Sequence, residues 1–286
     1  MEPLNGRVAR IAADRTSGAS ALMAEVLSVL ADALESGVPL RPVAQALVRA
    51  QPSMAPVWNA VRAALSGGTA EALQQYLQQV SRAPRLLERH AHELLLLDAS
   101  PHPLKLVTLS FSGTVLRVLQ TLAERRRLQV SGADGLPGLE GRHMSGQLAA
   151  AGIAVTHYTD AALGHALTGA DALLVGADAV TPDWFLNKSG TRMLAAAAGQ
   201  QGIPVYVLAT RDKFLSRAVA ARLEVREEST VEVWPTPPPG VTVRNPYFEA
   251  TPLDLVSAVV SDVGVLGAAL VPDACRTAGD ELLVEL

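Results

Sequence analysis

Apolar side chains in the first third of the chain recur every three or four positions, which is the spacing that lines one face of an α-helix. One such stripe runs from Ser20 to Glu35. Similar stripes run over residues 42–49, 56–65, 71–80 and 85–97. No stretch in this region alternates apolar and polar residues as a strand does. The pattern therefore predicts a helical N-terminal domain over residues 1–100.

The pattern changes at Pro101 and Pro103, which disfavour a helix and indicate a linker. Short apolar runs, typical of buried strands, then follow at residues 104–109, 128–130, 153–158, 172–177 and 203–209. Amphipathic stretches predict helices over residues 113–126, 143–151 and 189–200. Strands that alternate with helices of this length predict an α/β fold. We expect residues 101–286 to form a Rossmann-like, doubly wound domain with a mostly parallel sheet.

Composition and charge exclude several classes of partner. The 286 residues carry a net charge of −4 and no basic run, so nucleic-acid binding, which needs clustered cations, is not expected. The N-terminus lacks the apolar core of a signal peptide, and no stretch indicates a membrane span. These features predict a soluble cytoplasmic protein. The excess of 21 arginines over three lysines suggests a GC-rich bacterial genome.

The sequence also argues against a metal site or a nucleotide cofactor. Cys275 is the only cysteine, so neither an internal disulfide nor a thiolate metal site can form. The histidines show no metal-binding spacing. The glycine-rich fingerprints of dinucleotide-binding and P-loop proteins do not occur. We therefore expect no metal and no cofactor, and a Rossmann oxidoreductase is disfavoured.

Ligands of open parallel sheets bind beyond the carboxyl ends of the strands, where helix N-termini present free N–H groups. The first loop that this rule selects follows the strand at 104–109 and contains Ser110, Ser112, Gly113 and Thr114. Its hydroxyls and its glycine suit a phosphate cradle, although an ordinary helix N-cap explains the same residues.

Two further loops follow later strands. The glycine-rich loop at 133–142 ends in Arg142, which could pair with a phosphate or simply be solvated. The loop after the most apolar strand contains Gly176, which permits close approach of a ligand, and Asp178. A carboxylate there faces the ligand crevice, where partial burial would raise its pKa toward that of a useful base. The alternative is that Asp178 caps the next turn through its own backbone.

Asn187 and Lys188 open the helix predicted after the strand at 172–177. A lysine at the start of a helix opposes the macrodipole, which is unfavourable unless an anion lies opposite it. Only three lysines occur in the chain, so this placement is unusual. We interpret Asn187 and Lys188 as candidate anion-binding residues.

A longer pattern covers nearly the whole chain. Residues 175–214, VGADAV…NKSGTRMLAAAAGQQGIPVYVLATRDKF, form its central signature. Five further stretches keep the same order: IAADRTSGAS (11–20), PSMAPVWN (52–59), SFSGTVLRVL (110–119), GLEGR (138–142) and NPYFEATPLDLV (245–256). Together they resemble the initiation factor 2B alpha/beta/delta superfamily, which includes methylthioribose-1-phosphate isomerase and ribose-1,5-bisphosphate isomerase.

This resemblance implies a helical N-terminal domain, a Rossmann-like C-terminal domain and a homodimer built largely on the latter. It places the catalytic aspartate of the isomerases at Asp178 and their phosphate-holding pair at Asn187 and Lys188. The implied ligand is a phosphorylated small molecule, either a sugar phosphate or a nucleotide. The NPYFEATP stretch is expected at the sheet edge and the dimer contact rather than in the pocket.

The sequence departs from the isomerases at several positions, including Pro182 and Asp183, where they carry Asn-Gly, and two of these departures concern catalysis and phosphate binding directly. Ser110 stands where they carry a catalytic cysteine, and a hydroxyl without an activating base is a far poorer acid–base group. Leu136 stands where they carry an arginine that grips phosphate. Two hypotheses follow. The first is a protein that binds a phosphosugar or related phosphometabolite, with altered isomerase chemistry or none. The second is a non-catalytic regulatory or scaffolding subunit that acts through protein–protein contacts.

Overall fold

The structure is a computed structural model that describes residues 4–13, 19–97, 101–276 and 279–286. The domain boundary expected at residue 100 lies outside the described residues, as does part of the 11–20 stretch. Among the helices that the structure describes, none combines the length and the apolar character needed to cross a membrane.

The N-terminal region is helical, as the apolar stripes predict. Its helices are α1 (Leu4–Ala13), α2 (Ala19–Glu35), α3 (Leu40–Ala50), α4 (Ala55–Gly67) and α5 (Ala70–Leu95). The stripes at 71–80 and 85–97 belong to the single helix α5, which contains Pro84. Thr69 caps this helix by accepting a hydrogen bond from the Ala72 N–H at 3.2 Å. A proline removes one backbone hydrogen bond from a helix, and the packing of α5 on both sides of Pro84 maintains the helix through it.

The C-terminal region alternates strands and helices. In chain order its elements are β1 (Leu104–Val107), α6 (Gly113–Ala123), β2 (Leu128–Ala133), α7 (Glu140–Ala150), β3 (Ala154–Tyr158), β4 (Ala172–Gly176), β5 (Ala179–Val180), β6 (Trp184–Lys188), α8 (Thr191–Gln200), β7 (Val205–Leu208), α9 (Arg217–Ala220), β8 (Phe248–Pro252), β9 (Ala258–Ser261), β10 (Gly264–Leu266), α10 (Val271–Ala274) and α11 (Asp280–Val284).

Seven of these strands form one sheet in the order β10-β9-β7-β4-β1-β2-β3. Neighbouring strands are parallel except for β9 and β10, which are antiparallel. The expected α/β fold with a mostly parallel sheet is therefore confirmed. The chain winds outward from β1 to β3 and, in the other direction, from β4 to β9. The direction reverses between β1 and β4, and ligands of doubly wound sheets bind at such a switch point.

A second sheet, which the sequence does not predict, contains β5, β6 and β8 in antiparallel order. Asn187 and Lys188 are the last residues of β6, so the expectation that they open a helix is wrong. The helix that follows, α8, begins at Thr191, after Gly190 with a φ of +100°. Because β6 is buried on both faces, its apolar residues do not alternate with polar ones, and the strand leaves no period-two signal.

Three apolar clusters make up the core. The first joins the N-terminal helices to β5, β6 and the segment around Leu215. The second and third cover the two faces of the large sheet. Leu73 of α5 belongs to the first cluster, whereas Leu87 packs on the sheet with α6 and α7. Because α5 contributes to two clusters, the helical region and the sheet region are packed together along it.

Candidate functional site

Ser110 lies just beyond β1, at the switch point of the large sheet. Its backbone φ is +62°, in the left-handed region that residues other than glycine seldom adopt. Its side chain is buried, and its Oγ makes no hydrogen bond within the described part of the chain. Strained backbone of this kind is concentrated at functional sites, so the turn at Ser110 is consistent with a binding role.

Asp178 lies just beyond β4, the strand next to β1. Its N–H donates to the Leu186 carbonyl oxygen at 2.8 Å, which ties the Asp178 segment to β6, the strand that ends in Asn187 and Lys188. The Asp178 carboxylate makes no hydrogen bond to any described residue, so it does not cap the following turn. Burial raises the pKa of Asp178, and the positive charge of Lys213 partly opposes this shift.

Lys213 comes from the short helical turn after β7. Its Nζ donates to the carbonyl oxygen of Ala177 at 2.5 Å, which holds the ammonium beside the Asp178 segment. The sequence analysis did not place Lys213 at the site. The topology explains its position, because β7 is the neighbour of β4 and both strands end at the same edge of the sheet.

Asn187 is buried, and its side chain fixes the turn between β6 and α8. Its Nδ2 donates to Thr191 Oγ1 at 2.9 Å, and Thr191 Oγ1 donates to the Lys188 carbonyl oxygen at 2.6 Å. The Asn187 amide therefore holds the start of α8 against the end of β6.

Lys188 is enclosed, with a side chain only 5% exposed. Its Nζ lies 3.1 Å from Glu140 Oε1 and 3.2 Å from Glu140 Oε2. The same atom lies 4.1 Å from the centroid of the Tyr247 ring, within the range of a cation–π contact. A buried ammonium requires a counter-charge. Here the carboxylate of Glu140, at the start of α7, provides it.

Two groups of backbone N–H donors near the site also hold side-chain carboxylates. Glu249 Oε1 accepts from the Gly190 N–H at 2.7 Å and from the Arg192 N–H at 2.9 Å, at the start of α8. Asp160 accepts from the Gly135 N–H at 2.8 Å and the Leu136 N–H at 2.7 Å. Such donors are typical anion sites at helix starts and in turns. In this protein, carboxylates of the chain itself fill them.

The loop after β1 acts as a helix cap. Ser112 Oγ accepts from the Val115 N–H at 3.3 Å, so Ser112 caps α6. Ser112 also fills the space beside Gly176, where an added Cβ would lie 2.4 Å from its Oγ. Gly113 faces open space, and Thr114 is half-buried in the first turn of α6. The Ser112 hydroxyl thus forms the ordinary helix N-cap that the sequence analysis gave as the alternative to a phosphate cradle.

Arg142 is ion-paired rather than simply solvated. Its Nε lies 2.8 Å from Asp134 Oδ1, while the Arg142 side chain remains 63% exposed. His157 Nε2 also lies 3.2 Å from the same oxygen. The hydrogen bonds from Arg142 and then from His157 lower the pKa of Asp134.

The sequence analysis missed two site residues in the NPYFEATP stretch. Strand β8 does form an edge of the three-stranded sheet, as expected. However, Tyr247 contacts Lys188, and Glu249 caps α8. The register explains both contacts, since Asn187 pairs with Glu249 and Lys188 with Phe248 across β6 and β8. Glu140, within GLEGR, was also missed, and it lies 48 residues from Lys188 in sequence.

A cleft of about 470 Å³ lies elsewhere, between α5 and α6. The charged side chains that line it include Arg85, Arg89 and Arg125, and equally Glu88, Glu93 and Glu124. This balance of charge does not favour an anionic ligand. Within the described ranges, no group of three or more histidine, cysteine, aspartate or glutamate side chains is arranged to hold a metal ion.

The fold and the site define a doubly wound α/β protein with a helical N-terminal region and polar side chains at its switch point. A family model described as the initiation factor 2 subunit family matches residues 11–268. The chain belongs to this family, and the resemblance found in the sequence is confirmed.

Relatives of two kinds match the chain. An eIF-2B subunit 2-like protein of Pyrococcus horikoshii is 29% identical over 265 residues, which cover 88% of this chain and 92% of the relative. The ribose 1,5-bisphosphate isomerase of Archaeoglobus fulgidus is 34% identical over 160 residues, which cover 54% of this chain and 51% of the relative. A crystal structure of the P. horikoshii translation initiation factor eIF-2B matches with a TM-score of 0.76 and 26% identity, over 93% of this chain and 98% of that one.

Proposed function

We propose that the protein binds a phosphorylated sugar or a related phosphometabolite at the carboxyl ends of β1 and β4. The observation that carries this proposal is the half-buried Asp178 carboxylate at the switch point, which has no hydrogen-bond partner among the described residues. Its segment is hydrogen-bonded to β6, the strand that ends in Asn187 and Lys188, and the ammonium of Lys213 lies beside it. Sugar hydroxyls are suitable partners for such a carboxylate, and Lys188 is the cation that a phosphate would contact.

Binding is better supported than isomerisation. Moving a proton between adjacent carbons needs a group that gives and takes protons near neutral pH. The raised pKa of Asp178 suits that role. Ser110 does not, because its Oγ has no hydrogen bond to a base within the described part of the chain. We therefore propose a binding protein whose isomerase chemistry is altered or lost, in the cytoplasm of a bacterium.

A thermal-shift panel tests this proposal. Ribose 1-phosphate, ribose 5-phosphate and AMP are the test ligands, with ribose and adenosine as controls that lack the phosphate. A ligand present at about 100 times its Kd stabilises the native state by about 2.7 kcal/mol. For a chain of this size we expect a rise of about 5 °C in Tm with at least one phosphorylated ligand. No response to any phosphate would count against phosphometabolite binding.

We further propose that the protein is a homodimer. Every residue from 229 to 242 is exposed, and this segment presents Val231, Val233 and Trp234 to solvent. Clustered exposed apolar side chains favour a protein contact. The hydroxyl of Tyr247, whose ring lies against Lys188, donates to Glu232 in the same segment, so the contact would adjoin the site.

Light scattering after size exclusion tests the oligomeric state. We expect twice the chain mass of 30.0 kDa, and we expect Trp234→Glu to shift the population toward the monomer. A wild-type monomer at micromolar concentration would overturn the homodimer. The alternative function, a regulatory or scaffolding subunit, is supported by the same exposed segment. It predicts a stable heteromeric partner that is lost on the same substitution.

A further inference from the structure

Glu140 occupies the position next to Lys188 where the phosphate of the proposed ligand would lie. The Glu140 side chain is 37% exposed, whereas the Lys188 side chain is 5% exposed, so the carboxylate stands between the ammonium and the solvent. Both carboxylate oxygens lie within hydrogen-bond distance of Nζ, at 3.1 and 3.2 Å. The Tyr247 ring contacts the same ammonium. A phosphate cannot approach Lys188 closely while this pair is intact.

Two glycines make the room that Glu140 occupies, and a third anchors the backbone beside it. A Cβ on Gly138 would lie 2.7 Å from Glu140 Oε1. A Cβ on Gly135 would lie 3.2 Å from Glu140 Oε2 and 3.0 Å from Ser110 Oγ. Gly141 anchors the backbone next to Glu140, because its N–H donates to the Asp134 carbonyl oxygen at 2.9 Å. The space beside Gly135 and Gly138 is therefore filled by the Glu140 carboxylate.

The surroundings of Glu140 contain little positive charge to attract a phosphate. Leu136, in the same loop, is 52% exposed and offers no cation. Arg142, in the first turn of α7, is paired with Asp134. Lys188 is thus the cation for which a phosphate would have to compete with Glu140.

We infer that Glu140 lowers the affinity for phosphorylated ligands, because its carboxylate competes with the ligand's phosphate for Lys188. This inference rests on the proposed function. A phosphorylated ligand binds only when the partly exposed Glu140 side chain leaves Lys188, and the repulsion between phosphate and carboxylate weakens binding. A neutral side chain at position 140 removes both costs.

Glu140→Gln tests the inference by calorimetric titration with ribose 5-phosphate. The substitution keeps the shape and removes the charge. Because two like charges about 4 Å apart repel strongly at a partly buried site, we expect the Kd to fall about ten- to a hundred-fold. Inorganic phosphate should show a gain in the same direction, and ribose should show none. Glu124→Gln, on an exposed residue after α6, makes the same change in net charge and should leave the Kd within about twofold.

A second substitution assigns the gain to Lys188. In the double variant Glu140→Gln, Lys188→Met, we expect the tighter binding to disappear. If it persists, Glu140 does not act through Lys188 and the inference is wrong. If Glu140→Gln does not fold, Glu140→Asp withdraws the carboxylate by one methylene and should tighten binding several-fold. An unchanged Kd in Glu140→Asp would then overturn the inference.

The outcomes separate this inference from the proposed function. Binding by the wild type with an equal or higher Kd in Glu140→Gln overturns the role of Glu140 and leaves phosphometabolite binding intact. A lower Kd in Glu140→Gln than in the wild type, lost again in the double variant, supports both the role of Glu140 and phosphometabolite binding. No binding of ribose 5-phosphate or inorganic phosphate by either protein overturns phosphate binding at this site, and the role of Glu140 with it.

Discussion

Asp178→Asn is expected to stabilise the protein at neutral pH and to abolish any isomerase turnover that the protein retains. The Asp178 carboxylate is half-buried and has no hydrogen-bond partner among the described residues, and its partial desolvation disfavours the charged form in the folded state. Asparagine has nearly the same shape and no charge. Replacements that relieve a destabilising functional group commonly add about 1 kcal/mol to the free energy of unfolding. Lys213 keeps its hydrogen bond to the Ala177 carbonyl oxygen in the variant.

The gain from Asp178→Asn should depend on pH in a defined direction. Burial raises the pKa of Asp178 in the folded state above its ordinary value of 3.8. Below that value the carboxyl is protonated in both states, so the charge costs nothing. As the pH rises, the unfolded state releases its proton first, and the wild type loses stability relative to the variant. The difference should reach its full size once the pH exceeds the folded-state pKa.

Urea unfolding from about pH 4 to pH 8 measures this difference. Asp254→Asn is the control, because Asp254 is an exposed aspartate of the same domain. We expect that substitution to change the free energy of unfolding by less than about 0.5 kcal/mol at every pH. A loss of stability in Asp178→Asn at neutral pH would mean that the fold favours the charged carboxylate, with Lys213 as the dominant influence.

The position of Asp178 is the part of the site that the sequence predicts best. Strand β4 is buried along its whole length, so it leaves a continuous apolar run that any pattern analysis detects. The run ends directly before Asp178. Parallel pairing of β4 with β1 then places Asp178 and Ser110 at the same edge of the sheet. Burial pattern and topology therefore predict both residues without knowledge of any side-chain contact.

The environment of Lys188 is the part that sequence reasoning predicts least well. An anion opposite Lys188 is expected from its charge, but the argument assumed a helix start, and the residue ends β6 instead. The anion is Glu140, and its contact with Lys188 depends on where the start of α7 lies relative to the end of β6. Neither composition nor periodicity describes such packing between distant segments. The glycines of the 133–142 loop indicate free space, and only the structure identifies Glu140 as the group that fills it.

Gly141→Ala is expected to destabilise the protein strongly, because α7 begins in direct contact with the end of β2. A Cβ on Gly141 would lie 1.6 Å from the Ala133 carbonyl oxygen and 2.9 Å from the Asp134 carbonyl carbon. Backbone atoms cannot rotate away as side chains do, so the start of α7 must shift. The shift breaks the Gly141–Asp134 hydrogen bond of 2.9 Å. We expect a loss of about 3 kcal/mol or more in the free energy of unfolding, measured in urea.

Gly146→Ala provides the matched control, because the same substitution in the same helix meets no atom within 4 Å. Alanine favours a helix over glycine, so this variant should gain up to about 1 kcal/mol. The two substitutions are thus expected to have opposite signs, although their helix propensities change equally. Equal effects would show that α7 does not pack against β2 as described.

Because Glu140 precedes Gly141, the Gly141→Ala variant should also disturb the Lys188–Glu140 pair. The stability of this helix start is thereby coupled to the proposed ligand site.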